Sequence, residues 1–195
     1  MKFRYGPPPA INLEINAPLA LTFHSLGKMS LYGIAVGALA IVIATGGMWQ
    51  LVLTQLTYTL AHQPPLVFIG SLLFTLFLHE LMHLLVLPHP FFGDRNVIGV
   101  LPSVGLLYAW CGYPMSKARA ILGGLAPFFI LGILPLALLP FFPEVIGTLL
   151  PSVLLNILGA GADILVCYQI IRQVPAESVI QITAGDIYFG DIATP

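Results

Sequence analysis

The chain is poor in charge, in basic residues and in cysteine. Only 8% of its 195 residues are charged, against about a quarter in a typical soluble domain, whereas 58% are hydrophobic. A formal net charge of −1 leaves no basic face for phosphates and argues against a nucleic-acid partner. The two cysteines, Cys111 and Cys167, form neither a disulfide framework nor a zinc-knuckle spacing. These shortages together predict an integral membrane protein.

Four apolar segments are long enough to cross a bilayer as helices, which takes roughly 20 residues each. They are residues 31–60, 66–87, 118–142 and 145–171. Pro127 and Pro135 lie inside the third segment and predict kinks there, with neighbouring groups satisfying the freed carbonyls. The predicted fold is an all-α integral membrane protein with about four transmembrane helices. Its parts are a cytoplasmic or interfacial lead (1–30), a four-helix domain (31–173) and a cytoplasmic tail (174–195), in which alternating apolar and polar residues predict a small hairpin.

The basic residues predict the orientation of this multi-pass protein in the cell membrane. If the amino terminus is cytoplasmic, four crossings place all seven Lys and Arg residues on the cytoplasmic side and none in the two outer loops. Those residues are Lys2, Arg4, Lys28, Arg95, Lys117, Arg119 and Arg172. Both termini are therefore expected to be cytoplasmic, with Gln63 and Glu144 on the outer side.

The segment 88–116 between the second and third helices has two interpretations. Its β-branched and aromatic residues, separated by glycine and proline, predict short extended pieces, such as a β-hairpin that re-enters the membrane. Such a hairpin could hold an extended substrate by adding it to a strand edge. Alternatively the segment is an interfacial loop anchored by Tyr108, Trp110 and Tyr113. Periodicity does not distinguish the two.

One helix carries ionisable groups within an apolar run, "FTLFLHELMHLLVLP", at residues 74–88. The HExxH spacing of His79, Glu80 and His83 puts both imidazoles on one helix face, one turn apart, where they could bind a single tetrahedral metal. Glu80 follows the first histidine and could exchange a proton with a water activated by the metal. Ionisable groups inside a membrane helix are functional by default, because they are costly to bury.

The alternative is structural. His79 and His83 would then be core histidines bonded to the backbone or to each other, with Glu80 paired to a cation. HExxH is short enough to occur by chance, so the motif alone does not separate these interpretations.

A catalytic zinc usually takes three protein ligands, and Asp163 on the fourth helix is the candidate for the third. His79 lies nine residues before Pro88, and Asp163 lies nine before Arg172. At 1.5 Å per residue both are about 13 Å from the cytoplasmic helix end, so their depths match. Asn156, two turns from Asp163, could bond a ligand or a substrate backbone.

Residues 159–162 are all Gly or Ala, which would allow the fourth helix to approach the second closely. Asp163 could instead serve only helix packing, and Asp94 in the loop is a further candidate for the third ligand.

The pattern HELMH in a membrane helix, with Asn156 and the later Gly161-Ala162-Asp163, resembles the site-2 protease class of intramembrane zinc metalloproteases. More narrowly, it resembles the family of small bacterial membrane proteins described as putative zincin peptidases. Stretches similar to that family include "SKAR" at residues 116–119 and "LAPF" at residues 125–128, and the similarity extends from Leu66 to about Pro175. It implies zinc held by His79, His83 and Asp163, with Glu80 as the base. Ile164 stands where site-2 proteases have Gly.

The sequence therefore predicts an intramembrane zinc metalloprotease that hydrolyses peptide bonds by a zinc-activated water, with Glu80 as general base. Zn2+ is the expected cofactor, although cobalt and iron suit similar ligands. The expected partners are the lipid bilayer and a membrane-protein or peptide substrate, and the sequence specifies no oligomeric state. The alternatives are a non-enzymatic membrane metal carrier or sensor, and a membrane scaffold with a degenerate site.

Overall fold

The computed structural model describes residues 1–20, 26–87, 93–103, 105–183 and 186–192. Its helices are α1 (Leu26–Thr45), α2 (Trp49–His62), α3 (Pro65–Leu85), α4 (Lys117–Pro127), α5 (Leu134–Leu138), α6 (Pro143–Gly159) and α7 (Gly161–Gln173), with a π-helix at Phe128–Ile133. Its strands are β1 (Lys2–Tyr5), β2 (Ile15–Ala20), β3 (Asn96–Leu101), β4 (Leu106–Cys111), β5 (Met115–Ser116), β6 (Val179–Ile182) and β7 (Ile187–Ile192). The chain divides into a helical unit (Ser25–His79 and Ala126–Leu165) and a sheet unit (Met1–His24, Glu80–Leu125 and Val166–Pro195).

Within the described ranges, three helical stretches are long and apolar enough to span a membrane. They are Pro65–Leu85, Lys117–Leu138 and Pro143–Gln173. A fourth span exists only if the bent pair Leu31–Thr45 and Trp49–His62 is counted as one. This length and composition support membrane association.

The first predicted crossing, residues 31–60, is not one straight helix. The chain bends by 112° between the helical segments Leu31–Thr45 and Trp49–His62, and the break coincides with Gly46 and Gly47. The Met48 backbone N–H donates to the Thr45 carbonyl at 2.8 Å, which closes a turn between the helices. Adjacent glycines carry a large entropic cost in a helix interior, so a turn is favoured at this position.

The helical unit packs around α6. Val52, Leu136, Leu139, Leu150 and Ile157 are buried together in its core. Burial of each such side chain stabilises the folded protein by about 1.5–3 kcal/mol.

Glycines bring α1 into close contact with the end of α6 and the start of α7 in the helical unit. A Cβ added to Gly161 would lie 2.0 Å from the Gly33 carbonyl oxygen, and one added to Gly37 would lie 2.3 Å from that of Leu158. The small residues of 159–162 were expected to serve the approach of α3. Gly161 instead serves contact with α1.

The all-α prediction is wrong, because the sheet unit contains two β-sheets. The first has the order β1-β3-β4, with β1 parallel to β3 and β3 antiparallel to β4. The second has the order β2-β7-β6-β5, in which every neighbouring pair is antiparallel. The sheets join distant parts of the chain, as in the register of Lys2 with Val97 and of Ile15 with Ile192. Local periodicity carries no signal for such pairing.

Two local predictions agree with the structure. Segment 88–116 contains the β3–β4 hairpin, and the tail contains the β6–β7 hairpin. The placement of either hairpin relative to a membrane stays a prediction. Parts of the predicted lead (21–25), loop (88–92 and 104) and tail (184–185 and 193–195) lie outside the described residues.

The core of the sheet unit fixes the hairpin beside the end of α3. Leu84, the residue after His83, is buried with Ile98 of β3, Cys111 of β4 and Ile170 of α7. Burial also raises the pKa of the Cys111 thiol. The packing therefore anchors the last turn of α3 on the sheet, and with it the helix face that carries His83.

Candidate metal centre

The HExxH residues of α3 are less exposed than several apolar residues that precede them. Leu73, Phe74 and Leu76 are exposed, whereas His79, Glu80 and His83 are half-buried. The helix is continuous from Pro65 to Leu85, so His79 and His83 are one turn apart on the same face.

His79 bonds to both polar residues expected near it on the fourth predicted crossing. Its Nε2 lies 3.1 Å from Oδ2 of Asp163, and its Nδ1 lies 2.9 Å from Oδ1 of Asn156. The His79 side chain is 12% exposed and that of Asp163 is 25% exposed. Asp163 lies in the first turn of α7, and Asn156 lies in the last turn of α6. All three residues belong to the helical unit, which brings them together.

Asn156 is oriented by a second bond. Its Nδ2 donates to the backbone carbonyl of Pro127 at 3.0 Å, and the residue is only 2% exposed. With its nitrogen committed to a carbonyl, its Oδ1 must be the atom that faces His79, where it accepts the Nδ1 proton. Nε2 is then the nitrogen that faces Asp163, and because a carboxylate oxygen only accepts, this contact without a metal has its proton on Nε2.

His83 has the same arrangement within the sheet unit. Its Nδ1 lies 2.8 Å from the backbone carbonyl oxygen of Gly123 on α4, and a carbonyl can only accept, so the Nδ1 proton is donated there. Nε2 is then the nitrogen that carries a lone pair.

The chemistry of these donors fits a zinc ion. His79, His83 and Asp163 form a set that could hold one metal, and this set within the described residues does not include Glu80. Two imidazoles and one carboxylate are a known ligand set of catalytic zinc, which keeps a fourth position open. Metal-bound histidines commonly donate their other N–H to an oxygen, as His79 and His83 do here.

The remaining candidate ligand, Asp94, has a different role. The Tyr113 hydroxyl donates to its Oδ1 at 2.5 Å, and this bond lowers the pKa of the Asp94 carboxyl. The residue lies in the sheet unit, ahead of β3, and it is not in the metal-binding set.

Two acceptors of the site are backbone groups that the sequence interpretation did not name, the carbonyls of Gly123 and Pro127. A usable signal did exist, because Pro127 follows Gly123 by four residues and cannot donate to that carbonyl.

Comparison with known proteins agrees with this chemistry. The model of the family described as "Putative zincin peptidase" matches residues 72–179, more than half of the chain. The match includes His79, Glu80, His83, Asn156 and Asp163. No curated protein and no solved structure matches the chain.

Proposed function

The chain belongs to the putative zincin peptidase family and is thereby a zinc metallopeptidase, and we propose that it cleaves membrane-associated polypeptides from within the bilayer. The observation that carries the proposal is the double contact of His79, with Asp163 on one nitrogen and Asn156 on the other. A histidine serving only as a core residue would not need a carboxylate at Nε2. An acidic group inside an apolar helix is also costly unless it has such a use.

In the proposed reaction each residue has one task. His79, His83 and Asp163 would hold the metal, which would supply a water of lowered pKa, about 7, and polarise the scissile carbonyl. Glu80 would take a proton from the attacking water and pass it to the departing amine nitrogen, so that one water and one peptide bond yield a carboxylate and an amine. Asn156 and the Gly123 carbonyl orient the imidazoles.

The substrate is proposed to bind in an extended form, because a helix conceals its carbonyls in internal hydrogen bonds. Strand β4 ends its sheet and lies beside a cleft of about 270 Å³. Tyr108, Trp110, Ile182 and Ile187 are among the residues that line this cleft. Its aromatic and aliphatic lining fits the apolar side chains of a membrane segment. A strand added at β4 would receive main-chain hydrogen bonds, and the cleft would take alternate side chains.

Zinc content is the first test. We expect about one zinc per purified chain, because one set of three ligands is available. His79→Ala should lower that content to background, while His62→Ala should leave it unchanged, since His62 is an exposed residue of α2 whose Nδ1 bonds to the Tyr58 carbonyl of the same helix. Absence of zinc from protein purified without chelators, or unchanged zinc in His79→Ala, would contradict the proposed function.

Orientation in the membrane is the second test. With both termini cytoplasmic, a cysteine at Glu144 should react with an impermeant thiol reagent on intact cells, and a cysteine at Glu177 should react only after lysis. Both positions are exposed, so accessibility is matched, and the native Cys111 and Cys167 are buried. The reverse pattern would place the amino terminus outside.

A measurement of peptidase activity distinguishes the proposed function from a metal carrier or a scaffold with the same ligands. Neither has any need of Glu80 beside the metal-binding set, so activity of a Glu80 variant separates them from a peptidase.

A further inference from the structure

Two backbone carbonyls near Pro127 accept hydrogen bonds, that of Gly123 from His83 and that of Pro127 from Asn156. In an α-helix the carbonyl of residue 123 receives the N–H of residue 127, which proline lacks. The carbonyl that Pro127 leaves without this donor is the one that accepts the Nδ1 proton of His83 at 2.8 Å. A helix with a non-proline residue here would supply a competing N–H to Gly123.

The second carbonyl is that of Pro127 itself. It accepts from Nδ2 of Asn156 at 3.0 Å, and Asn156 in turn accepts the Nδ1 proton of His79 at 2.9 Å. The π-helix Phe128–Ile133 begins immediately after Pro127, where backbone bonds change from the i+4 to the i+5 pattern. Near this change of pattern, the carbonyls of Gly123 and Pro127 accept hydrogen bonds from the side chains of His83 and Asn156.

We propose that Pro127 is a positioning residue that orients both metal-binding histidines. It acts on His83 by withdrawing an N–H from Gly123, and on His79 by offering its own carbonyl to Asn156. The first route holds the His83 proton on Nδ1 and leaves Nε2 as the nitrogen that would bind the metal, and the second fixes the ring of His79 with Nε2 toward Asp163. The inference rests on the proposed metal site for its purpose, whereas the tautomer of His83 can be measured without any metal.

Pro135 supplies the matched control. It is also a proline within the same run of helix, eight residues beyond Pro127, or about 12 Å along the axis at 1.5 Å per residue. Its missing N–H concerns a carbonyl about one turn earlier, in the π-helix, and not that of Gly123. Replacing either proline by alanine restores one backbone N–H to the helix, so general effects on folding are alike.

The first readout is the imidazole tautomer in the metal-free protein. In protein labelled with 15N-histidine, nitrogen NMR distinguishes a protonated Nδ1 from a protonated Nε2. His83 should be in the Nδ1–H form in wild type and in Pro135→Ala. Pro127→Ala should show a mixture of tautomers at His83, whereas Asn156→Leu should leave His83 unchanged.

The second readout is zinc affinity, measured by competition with a chromophoric chelator. Pro127→Ala should bind zinc roughly 10-fold more weakly, and Asn156→Leu between about 10-fold and 100-fold more weakly, since losses of this size follow removal of groups that orient metal ligands. Pro135→Ala should bind zinc as wild type does.

An unchanged His83 tautomer in Pro127→Ala would overturn the inference, and so would an equal change in Pro135→Ala. If the His83 tautomer changes as stated but no variant, including wild type, binds zinc, the assignment of this tautomer to Pro127 is supported and the proposed metallopeptidase function fails.

Discussion

Glu80→Gln is expected to retain about one zinc per chain and to lose cleavage of a membrane-inserted substrate by about 10²-fold to 10⁴-fold, the usual share of a general acid–base. Glutamine has nearly the same size and the same capacity to accept a hydrogen bond, but at neutral pH it takes no proton from water. The metal-binding set does not include Glu80, so zinc should stay in place. Cleavage is measured in detergent or in proteoliposomes, beside zinc content of the same preparation.

Glu144→Gln is the matched control, because it makes the same change at an exposed glutamate of α6 outside the metal-binding set. It should cleave at the wild-type rate. Cleavage by Glu80→Gln at that same rate would contradict the peptidase mechanism and favour a metal carrier or scaffold. Loss of zinc in Glu80→Gln would instead make Glu80 a ligand. An inactive variant that keeps its metal would also serve to trap the substrate for identification.

The HExxH motif is readable from sequence because its geometry is local. A helix fixes the separation of residues four apart, so the common face of His79 and His83 follows from the spacing alone. Predicting Asp163 as the third ligand required one further assumption. It is that both helices cross a bilayer of known thickness and end near Pro88 and Arg172. The structure does place Asp163 against His79, at 3.1 Å.

The sheets show the limit of the same reasoning. Strand β1 pairs with β3 more than ninety residues away, and the alternation within "KFRY" or "VIQI" names no partner. A short strand becomes stable only through that partner. Sequence patterns therefore predicted the hairpin of the tail and offered the β3–β4 hairpin as one of two interpretations, because the strands of each are adjacent in the chain. They failed for the strands contributed by the amino-terminal residues.

The acceptors that orient the histidines were hidden for a different reason. Every residue has a backbone carbonyl, so the sequence does not show which of them accepts a hydrogen bond from a side chain. Only the loss of a donor marks one of them as accessible, as Pro127 does for Gly123. The same pattern recurs in the helical unit, where Pro151 follows Gly147 by four residues and the Thr59 hydroxyl donates to the Gly147 carbonyl at 2.8 Å.

Asp163→Asn is expected to weaken zinc binding by at least about 100-fold, more than the loss of a residue that merely orients a ligand. The carboxylate is the one anionic member of the metal-binding set, since both histidines bind as neutral imidazoles. Asparagine keeps the size of the side chain and can still bond His79, so the helices should fold as before. The doubly charged ion, however, would have no compensating charge in surroundings where desolvation of charge is costly. Zinc affinity is measured by chelator competition, and folding by thermal unfolding of the metal-free protein.

Asp94→Asn is the control for Asp163→Asn and also the test of the other candidate ligand. Its carboxylate accepts a bond from Tyr113 and lies outside the metal-binding set, so zinc affinity should not change. If Asp94→Asn loses zinc while Asp163→Asn retains it, the third ligand has been misassigned and the loop before β3 must reach the metal. If both variants bind zinc as tightly as wild type, two histidines suffice for binding and the contact between His79 and Asp163 serves helix packing.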